Sequence, residues 1–346
     1  MSTLDTEPYD ALLVVSFGGP EGPADVMPFL ENVLRGRNVP RERMLEVAEH
    51  YQRFGGVSPI NAQVRAMIAA LEKLLAAEGP RLPIYWGNRN WPPLLPDAIA
   101  KMATDGRRRA LAFVNSAYSS YSSCRQYREN IQAAQESFSK TTSIAAPRVD
   151  KLRAFYNHPL FIKATVDRIR SAFEQIPADR RAALHLLYTA HSIPLSMAAN
   201  CRYAAQLDET CRLVSASLPQ CQWHLVYQSR SGPPSQPWLG PDINDHLAEL
   251  AGRGVRDVVI APIGFVSDHM EVIYDLDTEA RARCEELGIN MVRAGTVGTH
   301  PAFIAMIREL ILERIDARHP RLALGAAGAS HDLCPLNCCL PPAART

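Results

Sequence analysis

The sequence predicts an α/β protein of two lobes, each an open parallel sheet flanked by helices, with a cleft between them. Three observations carry this. The chain has 346 residues, and at about 150 residues per domain that length fits two domains. Short apolar runs closed by turn residues alternate with amphipathic stretches, the pattern of βαβ units. The alternation then restarts after Pro147. The domains are set at 1–149, 150–318 and 319–346, the last a linker and Cys-rich tail.

In the first lobe, YDALLVVSF (9–17) is a buried strand closed by Gly18, Gly19 and Pro20. Helices follow at 23–35 and 40–53. Ser58 suits a helix cap and Pro59 a first helical position. Ile60, Val64, Met67, Leu71 and Leu74 then recur every three or four residues as a core stripe. PIYWG (83–87) and RALAFV (109–114) are the next strands, with a helix at 95–105 between them. In the second lobe, helices at 159–175, 204–218, 242–253 and 272–287 alternate with the strands ALHLLYT (183–189), WHLVYQ (223–228), DVVIAP (257–262) and NMVRA (290–294). A last helix spans 301–317, with Phe303, Ile307, Leu310 and Ile311 on one face.

Composition excludes several classes. The 37 Lys+Arg against 36 Asp+Glu leave a formal charge of +1, which argues against a nucleic-acid binder. No apolar run reaches the ~18 residues of a transmembrane helix. The polar start MSTLDTEPYD lacks a signal peptide's basic and apolar regions, so a cytoplasmic location is expected.

Ligands of open parallel sheets sit at the carboxyl ends of the strands. ALHLLYT runs into His191, and DVVIAP runs into IGFVSDHME, which ends on Glu271. A lone strand-end histidine is as often a structural one bonded to backbone. Glu271, Asp275 and Glu279 recur every four residues, which a helix places on one face. Such spacing usually marks a solvated acidic face. Here the row starts where an apolar strand has ended, beside Asp268 and His269, and it suits stepwise passage of a divalent cation or of protons. The glycines of SFGGPEGP do not form GxGxxG, and neither a GxxxxGK[ST] nor a GxSxG motif is present.

SFGGPEGP (16–23), FGGVSPIN (54–61), TAHSIP (189–194), QSRSGPP (228–234), PWLGPDI (237–243) and GFVSDHMEVIYDLD (264–277) together resemble the ferrochelatases, in that family's order and across the chain to about residue 318. The opening and the cysteine tail most resemble the actinobacterial type, which uses coproporphyrin III. The resemblance implies a chelatase-like fold of two Rossmann-like lobes and a lyase that inserts Fe²⁺ into a porphyrin during haem biosynthesis. It implies His191 and Glu271 as catalytic and iron-handling residues, and His269, Asp275 and Glu279 as a metal or proton path. Ser58, Tyr127, Tyr51 and Arg35 fall on porphyrin-holding positions. Phe17 stands where some homologues carry a metal-approaching tyrosine, and phenylalanine can only pack on the ring.

His331, Cys334, Cys338 and Cys339 crowd the tail. Three thiolates do not complete a four-cysteine site, so the fourth ligand of such a site would come from the body; a bystander within the adjacent Cys338-Cys339 pair, or a disordered tail of idle thiols, are the alternatives. Homologues with a [2Fe–2S] cluster resemble this arrangement. Cys124, at a first-lobe strand end, is the assigned fourth ligand, with Cys201 in reserve and a zinc site using His331 as the chemical rival. Protoporphyrin IX as acceptor, cobalt or nickel as metal, and a non-catalytic haem or porphyrin carrier are the competing functions. Contact with neighbouring haem-pathway enzymes is a further expectation.

Overall fold

The computed structural model describes residues 8–36, 39–232 and 235–341. The leading residues 1–7, which include most of the polar N-terminal stretch, and the two prolines that close QSRSGPP, Pro233 and Pro234, lie outside them. The chain forms two compact units that do not follow the sequence as two blocks. Unit 1 is Met1–Asn115, Gln126–Arg153 and Ile307–Pro320; unit 2 is Ser116–Arg125, Ala154–Met306 and Arg321–Thr346.

Unit 1 is built on a parallel four-stranded sheet in the order β2-β1-β3-β4: β1 is Ala11–Ser16, β2 Ile84–Asn88, β3 Arg109–Val114 and β4 Arg148–Lys151. Strands β1 and β3 are buried at every residue, as near-continuous apolar runs covered on both faces should be. Helices α1 (Val26–Val33), α2 (Arg41–Arg53), α3 (Ile60–Glu78), α4 (Leu95–Thr104) and α5 (Gln126–Thr141) belong to this unit. One core joins Leu13 and Val15 to Ile99, Met102, Ala112 and Ile131.

Unit 2 repeats the design in the order β6-β5-β7-β8: β5 is His185–His191, β6 Gln222–Gln228, β7 Asp257–Ala261 and β8 Asn290–Arg293. Around it run α6 (Pro159–Phe173), α7 (Leu195–Ala198), α8 (Tyr203–Ser215), α9 (Ile243–Gly252), α10 (Met270–Ile273) and α11 (Arg281–Leu287). Helix α12 is Pro301–Ile315. Leu187, Val226, Leu247, Val258, Ile260, Val272 and Leu276 form the core of this unit.

Several expectations are corrected. Ser58 makes no capping bond; Pro59 takes the cap position of α3. Ser58 is instead buried against Gly19, where an added Cβ would stand 2.7 Å from its own, and its amide donates to the Pro20 carbonyl. The helix expected at 272–287 is three pieces: α10, a π-helix Asp275–Ala280, and α11. Strand β5 extends to His191, two residues beyond the expected end, because it pairs with β6 as far as Gln228. Helix α5 and strand β4 were not anticipated. The α5 stripe Tyr127, Ile131, Ala134 and Phe138 is diluted by polar residues, and β4 is a short polar edge strand.

Candidate active site

In unit 2 the site begins with strand pairing. His191 lies opposite Gln228, and the Ser192 amide donates to the Gln228 carbonyl at 2.8 Å. Strands β5 and β6 therefore end together. The loop after β7 is drawn onto this end by Gly264, whose amide donates to Thr189 at 3.0 Å. A Cβ at Gly264 would stand 2.7 Å from Cα and Cβ of Ala190, so only a residue without one allows the approach. The loop then reaches His269, whose Nδ1 accepts the Glu271 amide at 3.2 Å and caps α10.

The outcome is a cluster. His191 Nε2 stands 3.6 Å from a Glu271 carboxylate oxygen, and His269 Nδ1 is 3.9 Å from the other. His191 Nδ1 faces the Ser192 carbonyl, which can only accept, so Nδ1 carries a proton and Nε2 is the nitrogen turned to Glu271. The Tyr203 hydroxyl donates to the His191 carbonyl at 3.1 Å. Gln228 Nε2 donates to the Glu271 carbonyl at 2.6 Å and reaches Asp275 at 3.4 Å. Ser229 Oγ donates to the same Asp275 oxygen from a left-handed backbone, φ 61°. Gln228 and Ser229 carry the first two letters of QSRSGPP, but their polar roles in this cluster were not assigned from sequence.

Proton affinities in the cluster are spread apart. Burial disfavours the imidazolium of His191, yet the Glu271 carboxylate overrides it and raises His191 to about 9. Burial likewise opposes ionisation of Glu271, and His191 overrides it, pulling the carboxyl down to about 2. Asp275 goes the other way: burial and the charges of Glu271 and Glu279 raise it to about 7, against the Ser229 hydrogen bond. Burial lowers His269 despite the nearby Glu271 carboxylate. The cluster thus holds an ion pair beside a carboxyl that exchanges protons near neutrality, the separation expected of an acid–base site.

Unit 1 carries the other assigned positions, on a strand end, on helices and in the turns beside them. Phe17 follows β1 and is 36% exposed. Its ring meets Phe29 edge-on at 6.3 Å, and Phe29 meets Tyr51 at 5.8 Å. The Arg89 guanidinium stacks over Tyr127 at 4.7 Å and over Phe17 at 5.8 Å. Ser58 and Tyr127 are buried, and Arg35 is exposed in the turn after α1.

The cysteines gather in unit 2. Cys124 sits buried on a π-helix, Tyr121–Arg125, within unit 2 and not with the first-lobe strands as expected. Cys338 and Cys339 sulfurs are 3.6 Å apart. The ligand atoms of His331, Cys334 and Cys338 lie within 4.8 Å of one another. Burial raises the Cys339 thiol, and Cys338, Cys124 and Cys201 raise it further. The tail is held by Arg125, which donates to the carbonyls of Leu336 at 2.7 Å and Cys338 at 2.9 Å.

The sequence profile of the ferrochelatases matches residues 9–315. The chain belongs to the ferrochelatase family. It is 57% identical over 334 residues to a ferrochelatase of Rhodopirellula baltica, covering 96% of this chain and 94% of that protein. It is 51% identical over 361 residues to the coproporphyrin III ferrochelatase of Streptomyces coelicolor, covering 99% of this chain and 96% of that one. Among solved structures, SirB from Bacillus subtilis with Fe³⁺ has a TM-score of 0.56 at 12% identity, covering 92% of this chain and all of that one, a likeness of fold. No helix among the described residues of this ferrochelatase-family chain is long and apolar enough to cross a membrane.

Proposed function

We propose that this ferrochelatase-family protein is a lyase that inserts Fe²⁺ into coproporphyrin III in haem biosynthesis, with His191 and Glu271 handling the metal and the pyrrole protons. The observation that carries the reading is the His191–Glu271 pair at 3.6 Å, with Asp275 poised near neutrality behind it. Insertion exchanges two pyrrole N–H protons for one Fe²⁺. His191 Nε2, once it has given its own proton to the carboxylate side, takes a pyrrole proton or ligates the ion. Glu271 balances the cation's charge, and His269, Asp275 and Glu279 form the path along which metal arrives and protons leave. A site with few protein ligands lets the metal pass to the macrocycle. Ser58, Tyr127, Tyr51 and Arg35 hold the porphyrin, and Phe17 packs on the ring without supplying a ligand. The relatives' names favour coproporphyrin III over protoporphyrin IX.

The tail fits a [2Fe–2S] cluster held by Cys124, Cys334, Cys338 and Cys339. Two sulfurs already lie 3.6 Å apart, a third thiol is buried beside them, and iron–sulfur clusters take thiolate ligands. Such a cluster supplies one-electron redox chemistry when bound. The grouping of His331 with Cys334 and Cys338 supports zinc as the alternative occupant. Among the described residues the eight cysteines form no disulfide, which suits a cytoplasmic setting.

Anaerobic incubation with Fe²⁺ and either porphyrin, followed by the metalloporphyrin spectrum, tests the reading. Turnover with coproporphyrin III is expected, and its loss in His191→Ala and in Glu271→Gln with porphyrin binding retained. Near-parent turnover in either variant removes that residue's role, and preference for Co²⁺ or Ni²⁺ reassigns the metal. Iron and sulfide analysis of the purified protein decides the cluster.

A further inference from the structure

We propose that Arg293 is a positioning residue for metal insertion: from the end of β8 it pins, through Asp268 and Asp277, both flanks of the segment that carries His269, Glu271 and Asp275. The proposal rests on the reading of His191 and Glu271 as the iron site.

The segment needs an anchor from outside itself. Helix α10 has four residues, and the π-helix follows after Tyr274 alone, with the Glu279 amide reaching back to the Tyr274 carbonyl at 3.0 Å. Such turns are rare and locally weak compared with a continuous α-helical ladder. Strand β8 offers a rigid platform, since Arg293 lies opposite Ile260 of the fully buried β7. From there the guanidinium forks. Nε donates to Asp277 at 2.6 Å, and Nη1 donates to Asp268 at 3.3 Å. Asp268 immediately precedes His269, and Asp277 follows Asp275 by two residues. The three side chains are only 15%, 17% and 27% exposed, so solvent screens them less than a surface pair. Burial works against the charge of Arg293, and the two carboxylates prevail and raise its proton affinity. A planar fork that bridges two carboxylates fixes their separation, which a single ammonium cannot do.

The test uses the full chain as Arg293→Gln, Arg293→Lys and Asp277→Asn. Hydrogen exchange is followed at the amides of residues 270–280, and steady-state rates are measured with Fe²⁺ and coproporphyrin III. In Arg293→Gln the segment is expected to exchange faster while β5 does not. Its kcat should fall on the order of 10–100-fold, as misplacement of catalytic groups does, with the porphyrin KM within about twofold of the parent. Arg293→Lys should recover part of both. If Arg293→Gln does not fold, Asp277→Asn, which leaves the Asp268 arm intact, should show the same two changes at smaller size. Parent-like exchange, or parent-like kcat in a folded variant, overturns the proposal. A parent chain that inserts no iron overturns the iron-site reading and the catalytic half of this one, while the exchange comparison still decides the anchor.

Discussion

At the scale of single residues, His191 and Glu271 form an ion pair whose two members titrate together. Because His191 is raised to about 9, its proton must leave before Nε2 can accept another or bind iron. The rate at fixed Fe²⁺ is therefore expected to rise from neutral pH towards about 9. Glu271→Gln removes the charge that raises His191, so whatever rate remains should climb at lower pH. A flat profile in the parent, or a rise that does not move in the variant, counts against the pair. Ser229→Ala acts in the opposite sense on Asp275. It removes a hydrogen bond that lowers a carboxyl already at about 7, so Asp275 should hold its proton to higher pH. Isotope-edited infrared titration of that carboxyl would show the shift, and no shift would mean the Ser229 contact is absent in solution.

At the scale of elements, the site depends on where strands stop. His191 is legible as a strand-end histidine, and the row Glu271, Asp275, Glu279 as one face of a helix. The π-helix that carries the last two is not legible, because its i→i+5 bonding comes from packing of Leu276 and Ala280 in the core and not from any residue preference. Gly264 gives an element-level prediction. Gly264→Ala sets a methyl 2.7 Å from backbone beside His191, so β5 and the following loop must part. Loss of both thermal stability and kcat is expected, and retention of both would show that the loop gives way freely. The amino-terminal half of the same sheet holds a second group. His185 and His224 nitrogens are 3.2 Å apart, and the His246 ring lies 4.6 Å from that of His224. Burial, then His246, depress His224 to about 4, below the ordinary histidine range. An unfolded chain binds that proton more readily, so the stability is present above about 6.5 and lost as pH falls towards 4. His224→Gln should flatten the fall of Tm with acid, and an unchanged slope would place the acid lability elsewhere.

Over the whole molecule, each unit carries its own apolar core, and unit 1 adds a buried ion pair. Arg153 bonds Glu313 through two nitrogens at 2.6 and 2.8 Å, with side chains only 1% and 2% exposed. Removing one partner leaves a buried charge unpaired, at a cost of about 3–5 kcal/mol. Arg153→Met should therefore destabilise far more than the double change Arg153→Met with Glu313→Leu. Equal losses in chemical denaturation would mean the pair itself supplies the stability. This contact spans 160 positions in sequence and has no local signature.

By itself the sequence determined the α/β class, the two parallel sheets and most helices, because apolar period and turn residues act locally. It also marked His191, at the end of an apolar strand, and Glu271, on the segment that follows another such strand. Tertiary structure alone decided that Ser58 packs on Gly19 and does not cap α3, and that the segment carrying Cys124 falls in unit 2 and not in the unit of the first-lobe strands. It also decided that Gln228 and Ser229 meet Asp275, and that Arg293 bonds Asp268 and Asp277 on either side of the carboxylate segment. The reason is the same in each case. Those contacts join residues far apart in the chain, and their free energy comes from burial and charge pairing that exist only once strands have been laid side by side.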